Sequence, residues 1–287
     1  MIKLLNTQKK LGKKIDNKHR YDQIKLMKVV ILAGGFGTRI SEESQNKPKP
    51  MINIGNKPIL WHIMKHFSCF GFNEFIICCG YKGYLIKEYF FNYHKHNSNL
   101  EVNLKTGELK ILDNSSENWK ITLVDTGQNT QTAGRLKRIE KFLKNEKNFF
   151  FTYGDSIGNI NIKKLLDHHI KSKKKVTVTS VAPPGRFGAI QLSKNSNLVK
   201  KFIEKPPGDS ANINGGFFVI NNSVFKEIKK DSDIWESNIL PKLVAKKEVT
   251  AYSHQDFWYA MDTMRDKKYL NELWISEKFR KIFKYQE

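Results

Sequence analysis

The chain contains little cysteine and no long apolar run. Its three cysteines, Cys69, Cys78 and Cys79, form no Cys-x-x-Cys pair, which indicates reduced core thiols rather than a zinc site or a disulfide framework. No stretch of 18 apolar residues exists, so no membrane partner is expected. The basic amino terminus also lacks the apolar segment of a secretory signal. Together these absences favour a cytoplasmic protein.

Arginine is also scarce, although the chain is strongly basic. Only seven of the 50 basic residues are arginine, and the net charge is +22. The lysines are scattered without interleaved aromatic residues, so they are interpreted as a solvated surface and no nucleic-acid partner is expected. Lysine cannot replace the rigid fork of arginine, so the arginines mark places where phosphate or base recognition is plausible. Five of them fall in motif-like stretches: Arg39, Arg135, Arg138, Arg186 and Arg265.

Alternating strands and helices predict an α/β fold. Over the first two-thirds of the chain the alternation predicts a Rossmann-like, predominantly parallel central sheet flanked by helices, with small additional strands near a second ligand. Such sheets bind ligands at the carboxyl ends of their strands. The expected strands are Lys28–Ala33, Phe75–Cys79, Ile121–Asp125, Phe149–Tyr153, Val176–Val181 and Gly216–Ile220. The expected helices are Pro58–Phe67, Tyr84–Tyr93, Ala133–Leu143, Ile162–Lys171 and Met264–Leu273.

Two segments stand apart from this alternation. Residues 1–26 are polar and basic without a sustained period, so they are expected to form a flexible extension before a single domain at residues 27–287. Residues 94–120 interrupt the alternation, and a hairpin or an oligomer contact is expected there.

A glycine-rich turn follows the first expected strand. Gly34, Gly35 and Gly37 let the backbone approach a phosphate closely with its N–H groups pointing at it. The turn lacks the third glycine of a dinucleotide fingerprint and the Gly-Lys-Ser/Thr of a Walker A loop. We expect Arg39 to clamp phosphates with two donors and Lys49, held between two prolines, to add a positive charge.

Two aspartates are candidate metal ligands. Asp155 ends an apolar strand, and Mg²⁺ is bound by one or two carboxylates together with substrate phosphates. A strand-end aspartate alone is more often a turn former. Asp262 is the candidate partner, with the alternative that it caps the helix that begins at Met264.

The glycine turn and the lysine that follows resemble the GGxGTR…PKPM motif of the sugar-1-phosphate nucleotidylyltransferase family. Matching stretches also occur at residues 57–64, 78–84, 123–127, 134–138 and 183–189, so the resemblance covers most of the expected domain and leaves out the extension. The resemblance implies transfer of a nucleotidyl group from a nucleoside triphosphate to a sugar 1-phosphate. It also implies Mg²⁺ on Asp155 and Asp262, with Arg39 and Lys49 as catalytic cations.

The resemblance also implies the binding residues. Those expected to contact the nucleotide are Leu32, Ala33, Gly34, Gly35, Gly37, Thr38, Arg39, Thr126, Gly134 and Arg135. Those expected to contact the sugar phosphate are Gly188, Glu204, Lys205, Asn214 and Gly215.

The stretch at residues 126–138 resembles the family members that use CTP and glucose 1-phosphate to supply surface polysaccharides. UTP or dTTP remains an alternative, as does a catalytically silent nucleotide-sugar-binding module. Arg135 is the expected base selector, because a guanidinium can donate to cytosine N3, whereas the N3–H of uracil would face it donor to donor. The alternative is that Arg135 lies on a helix surface. A homo-oligomer is expected.

Overall fold

The computed structural model describes residues 27–183, 185, 189–193, 198–203 and 212–283. The strands are β1 (Val29–Ala33), β2 (Asn53–Ile54), β3 (Lys57–Pro58), β4 (Glu74–Cys79), β5 (Leu100–Asn103), β6 (Glu108–Ile111), β7 (Lys120–Asp125), β8 (Asn148–Tyr153), β9 (Ser156–Gly158), β10 (Val176–Val181), β11 (Ala189–Leu192), β12 (Val199–Ile203), β13 (Ile213–Asn214), β14 (Phe218–Asn221), β15 (Val249–His254) and β16 (Trp258–Ala260). The α-helices are α1 (Ser41–Ser44), α2 (Ile59–Ser68), α3 (Gly83–His96), α4 (Thr132–Arg138), α5 (Ile162–Ser172), α6 (Leu240–Ala245), α7 (Met264–Ile275) and α8 (Glu277–Phe283). Short 3₁₀ turns and one π turn lie between them: Thr38–Ile40, Lys49–Met51, Glu140–Leu143, Asn222–Glu227 and Trp235–Ile239.

The central sheet confirms the Rossmann-like, predominantly parallel prediction. Strands β7, β4, β1 and β8 lie side by side, and each neighbouring pair is parallel. Strand β14 then runs antiparallel between β8 and β10. The short β13 also pairs antiparallel with β10, and β15 lies parallel along it. The carboxyl ends of four parallel strands therefore meet at one edge of the sheet.

Both faces of this sheet are buried, which explains the uninterrupted apolar strands in the sequence. Val29 and Ile31 of β1 join one hydrophobic cluster, and Val30 and Leu32 join the other. Alternate residues of a strand point to opposite faces, so a strand covered on both sides needs apolar residues throughout. Helices α2, α5 and α7 cover the first face, whereas α4 and α6 cover the second.

The predicted helices form, and one of them is divided. The predicted helix Ala133–Leu143 is divided, because α4 ends at Arg138 and a 3₁₀ turn follows. Helix α7 begins after Thr263, whose side chain accepts from the backbone of Asp266 in a capping box. Thr263 is thus the cap, and the alternative that Asp262 caps this helix is wrong.

The remaining expectations have mixed outcomes. The 94–120 segment contains the antiparallel β5–β6 hairpin. Cys78 and Cys79 are buried in β4 as expected, but Cys69 is exposed, so the core prediction is wrong for this one thiol. Among the described residues, no helix is long and apolar enough to cross a membrane. Residues 1–26 lie outside the described part of the chain.

Candidate active site

A cavity of about 320 Å³ opens at the carboxyl ends of the parallel strands. It is lined by the segments that follow β1, β7 and β8, together with the turn that contains Lys49. Ten of the predicted site residues line it: Leu32, Ala33, Gly34, Gly35, Gly37, Thr38, Arg39, Lys49, Arg135 and Asp155. A larger cavity of about 790 Å³ lies at the opposite edge, beside Met27 and Asn148. Because α/β sheets of this kind bind ligands at the carboxyl ends, the smaller cavity is the candidate site.

The glycine turn is shaped by a left-handed residue and a side-chain bond. Gly37 has φ of 66°, a conformation that residues with a side chain rarely adopt. A Cβ at this position would also lie 3.2 Å from the Cβ of Lys49. The Ser44 hydroxyl donates to the Gly37 carbonyl at 2.9 Å, which fixes the end of the turn. The turn therefore brings the chain back beside Lys49.

Two cations and two carboxylates form a connected network at the cavity. Lys49 Nζ lies 2.7 Å from Asp155 Oδ2 and 2.7 Å from Asp262 Oδ1. Arg39 Nη1 donates to Asp262 Oδ2 at 2.9 Å, while the rest of its side chain is largely exposed. Burial alone would lower the pKa of Lys49, but the two carboxylates outweigh it and raise that pKa. The predicted catalytic and metal-binding residues are thus brought together.

A short strand pair places the two carboxylates side by side. Strand β9 follows Asp155 and pairs antiparallel with β16, which precedes Asp262. The Met261 N–H also donates to the Asp155 carbonyl at 2.9 Å. Asp155 and Asp262, which are far apart in the sequence, therefore meet through backbone pairing rather than through local sequence.

Arg135 is buried beneath the cavity and contacts main-chain oxygens. Its Nη1 donates to Gly127 O at 2.6 Å, and its Nη2 donates to Gly34 O at 2.9 Å and to Gln128 O at 3.0 Å. Burial lowers the pKa of Arg135, although a guanidinium stays charged at neutral pH. The alternative of a solvated helix-surface arginine is wrong, because only 5% of the residue is exposed. Direct contact between Arg135 and a base stays a prediction.

Two other predicted nucleotide residues lie behind the cavity wall. Thr126 is buried, and its hydroxyl donates to Cys79 O at 2.6 Å. Gly134 lies in α4, where a Cβ would approach the Asp231 carbonyl oxygen to 2.2 Å. Neither residue lines the cavity. Thr126 also accepts from Arg135 Nη1 at 2.9 Å, whereas the missing side chain of Gly134 lets α4 pack closely against Asp231.

A third cavity, of about 610 Å³, adjoins the network at Asp262. Trp258, Tyr259 and Arg265 line it, and Trp258 Nε1 donates to Gly215 O at 2.8 Å. Asn214 Nδ2 donates to the Tyr153 hydroxyl, which lies at the 320 Å³ cavity, at 3.2 Å. The predicted sugar-side residues Asn214 and Gly215 therefore lie between the 320 Å³ and the 610 Å³ cavities. The other three predicted sugar-side residues lie outside the described part of the chain: Gly188, Glu204 and Lys205.

Sequence reasoning missed several residues at the 320 Å³ cavity and one that contacts its lining. The polar run Gln128–Thr132 follows the carboxyl end of β7, and Tyr153 ends β8. The Tyr153 hydroxyl donates to Glu236 Oε1 at 2.5 Å, and burial together with this carboxylate raises the pKa of Tyr153. The position of the polar run at a strand end was a usable signal. Glu236 lies in the π turn Trp235–Ile239, far away in the sequence, and no sequence pattern marked it as part of the site.

A glycine turn, clustered cations and paired acids at the carboxyl edge of a parallel sheet define a nucleotide-binding α/β protein. Residues 28–271 match the profile described as nucleotidyl transferase, and the chain belongs to that family.

Curated relatives and a solved structure are similar over most of the chain. The chain is 51% identical over 248 residues to glucose-1-phosphate cytidylyltransferase of Salmonella typhimurium, covering 86% of this chain and 96% of that protein. It is 43% identical over 250 residues to the probable glucose-1-phosphate cytidylyltransferase of Bacillus subtilis, covering 86% of this chain and 96% of the relative. The crystal structure of HddC from Yersinia pseudotuberculosis has the same fold, with a TM-score of 0.62 at 22% identity over 87% of this chain and 100% of that one.

Proposed function

We propose that the protein transfers CMP from CTP to α-D-glucose 1-phosphate, giving CDP-glucose and pyrophosphate. The similarity to the Salmonella typhimurium cytidylyltransferase carries this proposal, since it extends over 86% of the chain at 51% identity. The cluster of Arg39, Lys49, Asp155 and Asp262 at the cavity supports it. A catalytically silent binding module is disfavoured, because it would not need this complete set of charged groups.

The reaction brings two anions together, so charge neutralisation and positioning are its main requirements. A phosphate oxygen of glucose 1-phosphate forms a bond to the α-phosphorus of CTP. The bond from that phosphorus to the bridging oxygen breaks in line, and its electron pair leaves with pyrophosphate. Arg39, on the open side of the cavity, is assigned to the leaving pyrophosphate. Lys49, deeper in the cavity, is assigned to the region of the α-phosphate.

The two aspartates suit a shared divalent ion. Both carboxylates contact one ammonium at 2.7 Å, so a single cation can reach both. Mg²⁺ prefers one or two carboxylates and leaves its other positions to water and substrate phosphates. We assign Asp155 and Asp262 as its ligands, where Mg²⁺ would supply charge neutralisation of the triphosphate. Among the described residues no cluster of three or more metal-ligating side chains competes with this pair.

The adjoining cavity is assigned to the glucose 1-phosphate. It shares Asp262 with the cation network and presents Trp258, Tyr259 and Arg265. Aromatic side chains offer an apolar surface with a polar edge, which suits a sugar ring with its hydroxyls. Lys205 is assigned to the sugar phosphate, and Glu204 is assigned to the sugar hydroxyls. Gly188, Asn214 and Gly215 complete the proposed sugar side.

Pyrophosphate release is the first test of the proposed reaction. With CTP present, release is expected only when both glucose 1-phosphate and Mg²⁺ are added. Glucose 1-phosphate supplies the attacking oxygen, and Mg²⁺ neutralises the triphosphate. A coupled phosphate assay on the full chain, with each component omitted in turn, measures this requirement. Release of pyrophosphate without the sugar phosphate would indicate hydrolysis instead. No release in the complete mixture from folded protein would contradict the enzyme proposal.

We also propose that the protein forms a homo-oligomer through the β5–β6 hairpin. This hairpin and the residue after it expose large apolar side chains, which monomeric proteins seldom gather in one place. They are Leu100, Val102, Leu104, Leu109, Ile111 and Leu112. Leu104 alone is 93% exposed.

The oligomer proposal predicts a change in mass when the hairpin is made charged. The double variant Val102→Glu, Leu104→Glu should dissociate to a smaller species, measured by light scattering after gel filtration. Ile275→Glu is the matched control, because Ile275 is 84% exposed on α7, outside the hairpin. An unchanged mass in the hairpin variant, or a monomeric wild type, would refute this interface.

The proposed product indicates which class of reaction must follow this one. CDP-glucose is an activated sugar, so enzymes that modify or transfer its glucosyl group must consume it. We propose that the protein works in the cytoplasm and supplies deoxysugars for surface polysaccharides. Residues 1–26 are proposed as an extension that takes no part in the chemistry.

A further inference from the structure

The Arg135 guanidinium joins three separate segments around the cavity of about 320 Å³ at the carboxyl edge of the sheet, which we call the nucleotide cavity. It contacts the glycine turn at Gly34 O, the end of β4 at Cys79 O, and the loop after β7 at Gly127 O and Gln128 O. The Nη1–Cys79 distance, 3.3 Å, is the longest of these. Among the described residues no carboxylate lies within ion-pairing distance of Arg135. Arg135 Nη1 also donates to the Thr126 hydroxyl at 2.9 Å, so uncharged oxygens accept all of its described hydrogen bonds.

Two glycines make room for this guanidinium. A Cβ at Gly34 would lie 2.3 Å from Arg135 Nη1, and a Cβ at Gly80 would lie at the same distance from that atom. Neither glycine has a positive φ, so backbone freedom does not explain their identity. Space for the arginine explains Gly34, and space for both the arginine and the Gly34 carbonyl oxygen explains Gly80. The three residues therefore form one packed unit.

Each carbonyl held by Arg135 also fixes an N–H on the other side of the same peptide plane. In a trans peptide the carbonyl oxygen and the next residue's N–H point in opposite directions. Holding Gly34 O, Gly127 O and Gln128 O therefore sets the N–H groups of Gly35, Gln128 and Asn129. No described residue accepts from these three N–H groups. All three residues line the nucleotide cavity.

We propose that Arg135 is a positioning residue that aims these main-chain N–H groups into the nucleotide cavity. Fixed N–H donors on both sides of a cavity bind phosphate and base oxygens without the cost of ordering a side chain. Main-chain atoms of the loop after β7 then recognise the base, and Arg135 does not touch it. This inference rests on the proposed use of a nucleoside triphosphate in this cavity.

Direct contact with the base and positioning of the main chain are two different roles for Arg135. They predict different effects of Arg135 substitutions on the affinity for a ligand that has no base. An arginine that contacted cytosine would affect CTP and leave inorganic pyrophosphate binding unchanged. An arginine that positions the glycine turn affects both, because the Gly35 N–H lies in the phosphate-binding turn. Affinity for pyrophosphate with Mg²⁺, measured by calorimetry, therefore separates the two roles.

The experiment compares Arg135→Lys, Arg135→Ala and Gly80→Ala with the control Arg280→Ala. Arg135→Lys keeps the charge but lacks the fork that reaches several carbonyls at once. Gly80→Ala keeps the arginine, but its added Cβ would lie 2.3 Å from Arg135 Nη1 and 2.6 Å from Gly34 O, so it displaces the guanidinium together with the glycine turn. Arg280 is exposed on α8, outside both cavities. Circular dichroism and melting temperature identify any variant that fails to fold, and the remaining variants still test the proposal.

The positioning role predicts a shared signature. The Arg135 and Gly80 variants should bind pyrophosphate at least about tenfold more weakly, the equivalent of one hydrogen bond to a charged group. Their kcat/KM for CTP and for UTP should both fall, by about a hundredfold for CTP, as expected for displacement of a binding loop. Added guanidinium at non-denaturing concentration should partly restore Arg135→Ala but leave the other variants unchanged.

Unchanged pyrophosphate affinity together with a loss confined to CTP would overturn the positioning role and assign Arg135 to the base. Wild-type behaviour of Arg135→Lys and Gly80→Ala in both assays would also overturn it. Should wild-type protein bind pyrophosphate and yet not turn over CTP, the proposed reaction fails. The comparison of pyrophosphate affinities would then still decide the role of Arg135.

Discussion

Asp262→Asn should lower kcat about a thousandfold while leaving the fold intact, because it removes a charge at the centre of the cation network. Asp262 accepts from both Lys49 and Arg39, whereas Asp155 contacts Lys49. Asparagine keeps the size of the side chain but removes the charge that would hold Mg²⁺ and orient two cations. Asp155→Asn should therefore show a smaller loss, of about a hundredfold.

Steady-state kinetics at saturating CTP and glucose 1-phosphate, with Mg²⁺ titrated, measure these losses. Both variants should also need more Mg²⁺ for half-maximal activity. Asp256→Asn is the matched control. Asp256 is an exposed aspartate six residues before Asp262, and its carboxylate accepts a hydrogen bond from Asn159. Near-wild-type kcat in either site variant would remove that aspartate from the proposed metal site.

Lys49→Met should lower kcat about a hundredfold and change how the protein responds to divalent ions. The ammonium of Lys49 neutralises two carboxylates, and it is itself 9% exposed in its side chain. Methionine keeps the length of the side chain and leaves the carboxylates facing one another without that charge. The metal-free variant should lose about 2 kcal/mol of stability, below the value for a fully buried pair because Asp155 is partly exposed.

Thermal melting with and without Mg²⁺ tests this second expectation independently of activity. Mg²⁺ should raise the melting temperature of Lys49→Met more than that of wild type, since the ion no longer competes with the ammonium for the two carboxylates. Lys47→Met is the control, because Lys47 lies on the same segment and pairs with Glu43 at the surface. Equal Mg²⁺ shifts in wild type and Lys49→Met would contradict a metal site shared by Asp155 and Asp262.

The parallel part of the sheet was predictable because its strands carry their own signal. Strands buried on both faces are apolar where they are buried, as β1 is throughout and β4 is after Glu74, and each of these two strands is followed by a glycine at the carboxyl edge. The same rule led to Asp155 at the end of β8. The environment of these residues can be predicted from their neighbours in the sequence.

Other features depend on contacts that no local pattern records. The meeting of Asp155 with Asp262 needs the β9–β16 pair, whose two strands have only three residues each. The burial of Arg135 needs glycine at positions 34 and 80, which precede it by 101 and 55 residues. A basic residue on a predicted helix is ordinarily solvated. The sequence therefore indicated that Arg135 was informative but could not indicate that it faces carbonyl oxygens.

Competition between nucleoside triphosphates tests the central claim most directly. Wild-type protein with Mg²⁺ and glucose 1-phosphate is given equal concentrations of CTP, UTP, dTTP and GTP, and the nucleotide sugars formed are identified by mass spectrometry. The account predicts that CDP-glucose is the dominant product and appears in step with pyrophosphate. Predominant formation of UDP-glucose or dTDP-glucose, or no nucleotide sugar at all, would contradict it.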